Sequence, residues 1–120
     1  DFSVNALCFT PDKKFLLTGS RDARLNIFDV QNSFTKVDSI AAHNYAIYAI
    51  AFNPSGKLMA TASRDKKIKI WNDDLSFISR IEEHPVGHKN SVNTLCWLSD
   101  TELITTGDDR CIMLWHLSAS

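Results

Sequence analysis

The chain has 120 residues, 44% of them hydrophobic, with 13 basic against 14 acidic side chains and a net charge of −1. That is enough apolar material for one domain's core, and the balanced charge supplies neither a basic stripe for nucleic acid nor an acidic tail. No apolar run approaches the roughly 20 residues that cross a bilayer, and no targeting segment opens the chain, so neither nucleic acid nor membrane is expected as a partner.

In chain order, a nearly continuous apolar run from Val4 to Phe9 predicts a strand covered on both faces. Turn chemistry at Pro11-Asp12 leads to a second strand from Phe15 to Gly19, and a tight turn at Arg21-Asp22 leads to a third from Leu25 to Phe28. A more polar fourth strand reads from Thr35 to Ile40. The same series returns as Ile47 to Phe52, Leu58 to Ala62, Ile68 to Trp71 and Phe77 to Glu82, with turns at Pro54-Ser55-Gly56 and Arg64-Asp65. It begins a third time with Val92 to Trp97, Glu102 to Thr106 and Ile112 to Trp115, and no fourth member follows Trp115. No segment carries a sustained helical period, so the expectation is an all-β chain of eleven antiparallel strands.

The repetition is exact enough to align. Residues 3–30 match residues 46–73 without a gap at an offset of 43, with nine identities in 28 positions, where residue usage predicts about two by chance. A period in the low forties suits one four-stranded unit and is too short for a self-sufficient domain, so each unit must bury itself against its neighbours. Cys8 and Cys96 share a column with Ala51, as a small buried core position would. The cysteines show no C-x-x-C spacing that would support a metal or redox site. Free thiols suggest a soluble protein, cytoplasmic if it is intracellular, and the compartment itself is not read from the sequence.

Gly87-His88 ahead of a Val-x-x-Leu-x-Trp strand, Ser63-x-Asp65 in a turn and a closing Ile-x-Ile-Trp at Trp71 closely resemble the WD-repeat β-propeller family. The resemblance covers essentially the whole chain and implies a partial β-propeller of three blades, the last lacking its outer strand, at about 1–41, 43–83 and 88–118 of one domain. It also implies a structural tetrad in each blade: a histidine before the first strand, a serine or threonine ending the second, an aspartate in the next turn and the tryptophan of the third. On that pattern the middle copy is complete with His43, Ser63, Asp65 and Trp71. The first keeps Ser20 and Asp22, has Phe28 for the tryptophan, and its histidine falls before Asp1. The third keeps His88, Asp109 and Trp115 but has Gly107 at the serine column. The first and third blades are therefore expected to be more weakly stapled than the second.

A serine, a histidine and an aspartate together invite a hydrolase reading, but catalysis needs an exposed hydroxyl and oxyanion donors, whereas these residues sit at repeat columns and hand on to a tryptophan. No G-x-S-x-G elbow, phosphate loop or carboxylate pair is present. No catalytic residue, cofactor or metal site is expected. His84 reads as a loop histidine, and His116 is unassigned.

The family's contact positions lie at the narrow face of the ring. Here they are Arg21, Arg64 and Asp108 before the turn aspartates, with Ser3 and Asn5, Ala46 and Tyr48, and Ser91 and Asn93 at the starts of the inner strands. Arg64, Tyr48 and Arg21 would make a basic, aromatic spot suited to an acidic peptide or a carboxylate.

Three blades cannot close a ring, so two apolar faces would need cover: the remaining blades of a parent propeller, or further copies of the chain. Because the chain opens on Asp1 at a repeat edge and stops after a third strand, it is expected to be the C-terminal portion of a larger propeller. The functional expectation is a non-enzymatic scaffold binding protein or peptide. The alternatives are a propeller enzyme or small-ligand binder using the channel mouth, and a purely structural closing segment.

Overall fold

Each repeat folds into its own antiparallel meander, because its turn signals fall between strands too short to pair with anything but their chain neighbours. A computed structural model describes residues 3–81, 88 and 90–117. β1 (Val4–Phe9), β2 (Phe15–Ser20), β3 (Arg24–Asp29) and β4 (Thr35–Ala41) form the first sheet in that order. β5 (Ile47–Phe52), β6 (Leu58–Ser63), β7 (Ile68–Asn72) and β8 (Phe77–Ile81) form the second. β9 (Val92–Trp97), β10 (Glu102–Gly107) and β11 (Ile112–His116) form the third. The architecture is all-β, a partial propeller of three blades with three strands in the last among the described residues. The predicted end of β8 at Glu82 lies outside the described residues. One feature had no sequence signal, a single 3-10 turn over Val30–Asn32 in which Asp29 accepts from the Gln31 N–H at 3.1 Å.

The β2–β3 hairpins of all three blades are built alike. Asp22, Asp65 and Asp109 each accept, through Oδ1, the N–H of the residue two further on, at 3.1, 2.9 and 3.0 Å. The residues between, Ala23, Lys66 and Arg110, take left-handed φ values of 70°, 74° and 63°. That conformation is unfavourable for a side chain bearing Cβ, and the aspartate bond helps to hold it.

The sheets stack face to face, with β1 beside β5 and β5 beside β9. Leu17, Leu25 and Ile27 of the first blade pack on Ile47, Met59 and Trp71 of the second. Ala60, Ile68 and Ile70, on the second blade's other face, pack with Val92 and Leu103 of the third. Two-sided cover explains why β6 is buried at every position after its first and why its sequence shows no alternation. The blades approach so closely at Gly19 that a Cβ there would lie 2.6 Å from Ile47 Cγ2. Polar ties add to the second seam: Trp97 Nε1 donates to the Ala51 carbonyl at 3.0 Å, and Asn53 Nδ2 to that of Asp100 at 3.1 Å.

Equivalent columns show what the stacking contributes. Leu25 and Ile27 are 0% and 6% exposed and Ile68 and Ile70 are 1% and 2%, yet Ile112 and Leu114, on a face that no further sheet covers among the described residues, are 78% and 50%. At the other end Val4 and Leu7 are 59% and 66% exposed, against 0% and 8% for Ile47 and Ile50. The same effect corrects the cysteine column. Cys8 is half-buried against the second blade, and that burial raises its thiol pKa. Cys96, expected to be buried, is exposed, since among the described residues no further sheet packs on that side of β9.

Candidate functional site

Two features occupy the ends of β5 and β6, a buried hydrogen-bonded relay and an exposed face of polar side chains. In the middle blade the relay runs in one direction. The Trp71 indole is only a donor, and its Nε1–H donates to Thr61 Oγ1 at 3.0 Å. The Thr61 hydroxyl is then directed to His43 Nε2 at 2.7 Å, and His43 Nδ1–H donates to Asp65 Oδ2 at 2.8 Å. The carboxylate is completed by the N–H groups of Asn44 at 3.1 Å and Lys67 at 2.9 Å. Every polar atom of a nearly dry cluster thus has a partner.

Thr61, and not Ser63, is the hydroxyl of this chain. Trp71 pairs across the sheet with Met59, so Thr61 is its diagonal neighbour on the same face, while Ser63 lies about 7 Å further along the strand and beyond the indole's reach. Ser63 serves the turn instead: its Oγ donates toward the Ala46 and Tyr45 carbonyls at 2.8 and 3.0 Å and accepts from the Asp65 N–H at 3.1 Å.

The same shift overturns the expected weakness of the third blade. Thr105 accepts from Trp115 Nε1 at 2.8 Å and meets His88 Nε2 at 2.7 Å, and His88 Nδ1 lies 2.9 Å from Asp109 Oδ2. Gly107 removes nothing from this chain of bonds. Its column is closed to side chains here, since a Cβ would fall 2.6 Å from the Ser91 carbonyl and 2.9 Å from His88 Nδ1. In the first blade Thr18 holds the hydroxyl column and Phe28 has no N–H to offer; Ser20 is buried. There Asp22 accepts only the turn bond from Arg24 among the described residues. A signal for the right hydroxyl was present: threonine stands in all three copies at 18, 61 and 105, where the serine column reads Ser, Ser, Gly.

Burial holds the His43 imidazole below its ordinary value against the opposing pull of the Asp65 carboxylate. Burial alone would raise Asp65, but hydrogen bonds from His43 and the two backbone N–H groups outweigh it and hold the carboxyl at about 2. The resting pair is a neutral imidazole donating to a carboxylate.

The exposed face is aimed by β-bulges. The register of β1 with β2 slips between Val4 and Ala6, that of β5 with β6 between Ile47 and Ala49, and that of β9 with β10 opposite Thr106 and Gly107. The residues left over are Asn5, Tyr48 and Asn93. A bulge leaves its extra residue unpaired and re-aims its side chain, and here it also keeps Ile47 and Ile50 on one core face. Beside the bulges, the backbone N–H groups of Arg21, Arg64 and Asp108 are anchored to the carbonyls of Ser3, Ala46 and Ser91 at 2.9 to 3.0 Å, leaving three exposed side chains in matching places. In the third blade the two positions satisfy each other, Asn93 Nδ2 donating to Asp108 Oδ1 at 2.5 Å. In the second, the Arg64 guanidinium sits 5.8 Å from the centre of the Tyr45 ring. Tyr45, exposed in the loop after His43, was missed because it lies outside the strand columns. Arg21 makes no side-chain hydrogen bond or ion pair among the described residues.

The described residues include no cluster of three metal-ligating side chains; His84 lies outside them. His116 is exposed, 3.6 Å from Glu102. Among the described residues no helix is long and apolar enough to cross a membrane.

The family model for the WD domain, G-beta repeat, matches the chain three times, over residues 1–29, 34–72 and 79–116. Two solved structures, "Structure of U3-55K" and "Crystal structure of RRP9 WD40 repeats", each superpose on the chain with a TM-score of 0.85 at 24% identity, covering 97% of this chain and 36% of theirs. Their likeness bears on the fold, and the chain spans about a third of their length. No curated protein matches the sequence.

Thr61→Val keeps shape but strands the Trp71 N–H and His43 Nε2, and is expected to lower the unfolding free energy by about 1–3 kcal/mol in urea titrations. Thr18→Val, in the blade without an imidazole or indole partner, should change it by no more than about 0.5 kcal/mol. The titrating pair also gives the stability a pH dependence. A folded imidazole held below its unfolded value and a carboxyl held below its own both release stability as protons bind the unfolded chain. The thermal midpoint should therefore fall below about pH 6.5, and again between about pH 4 and the Asp65 value. Asp65→Asn should diminish the lower step in circular-dichroism melts across that range, leaving the part that Asp12 and Asp74, also held below the ordinary carboxylate value, contribute.

Proposed function

The chain belongs to the WD domain, G-beta repeat family, and on that premise we propose that it is a non-enzymatic interaction scaffold, with the bulged ends of β1, β5 and β9 as its contact face for protein or peptide. The observation that carries this reading is that three bulges set Asn5, Tyr48 and Asn93 out of the ladder beside the exposed Arg21, Arg64 and Asp108. Arg and Tyr concentrate binding energy because each joins a large contact area to directional hydrogen bonds. Two arginines and two tyrosines around the first two blades suit an acidic peptide or a carboxylate. The mechanism is binding on a preformed surface, since a rigid backbone spends little entropy on ordering.

The column chemistry weighs against an enzyme or small-ligand site at the channel mouth. The contact columns read Arg, Arg, Asp and Asn, Tyr, Asn, and no set of acidic or histidine side chains converges there.

A structural role stands beside the binding role, because the apolar columns open at Val4 and Leu7 and at Ile112 and Leu114 are those that neighbouring blades cover elsewhere in the chain. Asn26, whose Oδ1 is the one buried side-chain acceptor without a partner among the described residues, stands opposite Thr18 in the β2–β3 ladder on the first open face. We read both faces as seats for further blades, supplied by a longer chain or by other copies.

Arg64→Ala and Tyr48→Ala are expected to abolish retention of acidic peptides on an array while leaving the thermal midpoint unchanged. Unaltered retention by both folded variants would remove the contact face from the account.

A further inference from the structure

We propose that the seam between the first and second blades carries a second docking site, for an extended segment of a partner protein that presents an apolar side chain flanked by arginine or lysine. The proposal rests on the scaffold reading but uses another surface: β2 runs from Phe15 in this groove to Ser20, beside Arg21 of the contact face.

The groove encloses about 330 Å³. Its floor is Phe15, Leu17 and Ile27 of the first blade together with Leu75 from the β7–β8 turn of the second. Room for one aliphatic or aromatic side chain over such a floor is what an anchor residue needs. Leu75 is held there in a left-handed conformation, φ 69°, and packs partly buried against the core of the first seam. A bulky residue in that region is strained, and such strain gathers at ligand clamps. Val37 forms a wall. It is the residue left over where β4 slips against β3 between Ile27 and Phe28, so a bulge again turns a side chain out of the ladder.

The rim is acidic. Asp38, Asp73 and Asp74 line the opening, and none of them is ion-paired among the described residues. Asp38 and Asp74 accept neighbouring N–H groups, those of Ser39 and Ser76, and both residues remain exposed. Lys57 lies in the adjoining depression that shares Phe15 and Asp73, and it is not bonded to the carboxylate.

The repeat supplies an internal control. The seam between the second and third blades has the same groove in equivalent columns, with Leu58 for Phe15, Ile70 for Ile27 and the bulged Ile78 for Val37. Its polar lining is Asn72, Ser79 and His116, with no carboxylate among the described residues. The shape therefore belongs to the seam, and among the described residues the three negative charges belong to the first seam alone. Packing of the blades does not require them, since the second seam closes without them. Charge of one sign around an apolar slot selects a cationic flank and speeds its encounter.

The probe is a capped seven-residue peptide with one leucine flanked by arginines, titrated into the isotope-labelled chain at low salt and followed by amide NMR shifts. Controls are the peptide with glutamate for arginine and the peptide with alanine for leucine. Shifts should concentrate on Phe15, Val37 and residues 73–75, and either control should bind at least about tenfold more weakly, a difference of about 1.4 kcal/mol. Asp38→Asn combined with Asp73→Asn should cause the same loss, as should Val37→Arg, which puts a cation of the chain's own at the mouth from an exposed position. Arg64→Ala should change nothing, which separates a failure here from a failure of the contact face. The proposal is overturned by no binding, by equal binding of the glutamate peptide, by shifts centred on Arg64 or on the second seam, or by full affinity in both groove variants.

Discussion

Apolar contact between the flat faces of neighbouring sheets is the constraint from which the rest of this molecule follows. A single meander of about 40 residues has too little interior to hide its apolar side chains from itself. The middle sheet solves this with a neighbour on each side, and its second strand is accordingly buried on both faces. Burial stabilises by roughly 25 cal/mol for each Å² removed from water, and the column that is covered at Ile68 and open at Ile112 shows where a neighbour makes that contribution. The end sheets therefore carry the burden of the open faces.

Apolar faces hold sheets together but do not fix how each blade's own loop and hairpin meet. Within the middle blade the relay from Trp71 through Thr61 and His43 to Asp65 fixes that corner, because its donors and acceptors match in one order only. It ties the loop before the inner strand, the second and third strands and the following hairpin to a single corner. It also frees the adjacent surface: with Asp65 committed inward, Arg64 and Tyr45 are left to face solvent. The bulges complete the division, keeping Ile47 and Ile50 in the core while leaving the half-buried Tyr48 out of the ladder. Core and contact face are consequences of the same register slip.

Much of this was legible in the residues. Strand positions and antiparallel order followed from turn chemistry and the repeat, since a hairpin leaves a short strand no other neighbour. The hydroxyl of the relay was misassigned to Ser63 because a motif names positions and not reach; the cross-strand pairing of Trp71 with Met59, invisible before the register is known, selects Thr61. The exposure of Cys96 escaped the column argument for a related reason, since an identical residue is buried or bare according to whether a further sheet exists. The bulges, Tyr45 and the acidic groove had no signal along the chain, because each arises from residues that only the stacking brings together.

Hydrogen exchange of the backbone amides, followed by mass spectrometry, tests most directly whether the sheets depend on one another's faces. The account predicts slowest exchange in the middle sheet, at β6, with β1 and β11 opening well before it and the protection of β6 collapsing when Ile68 or Leu17 is cut to alanine. Three sheets exchanging with equal protection, each indifferent to truncation in its neighbour, would contradict it.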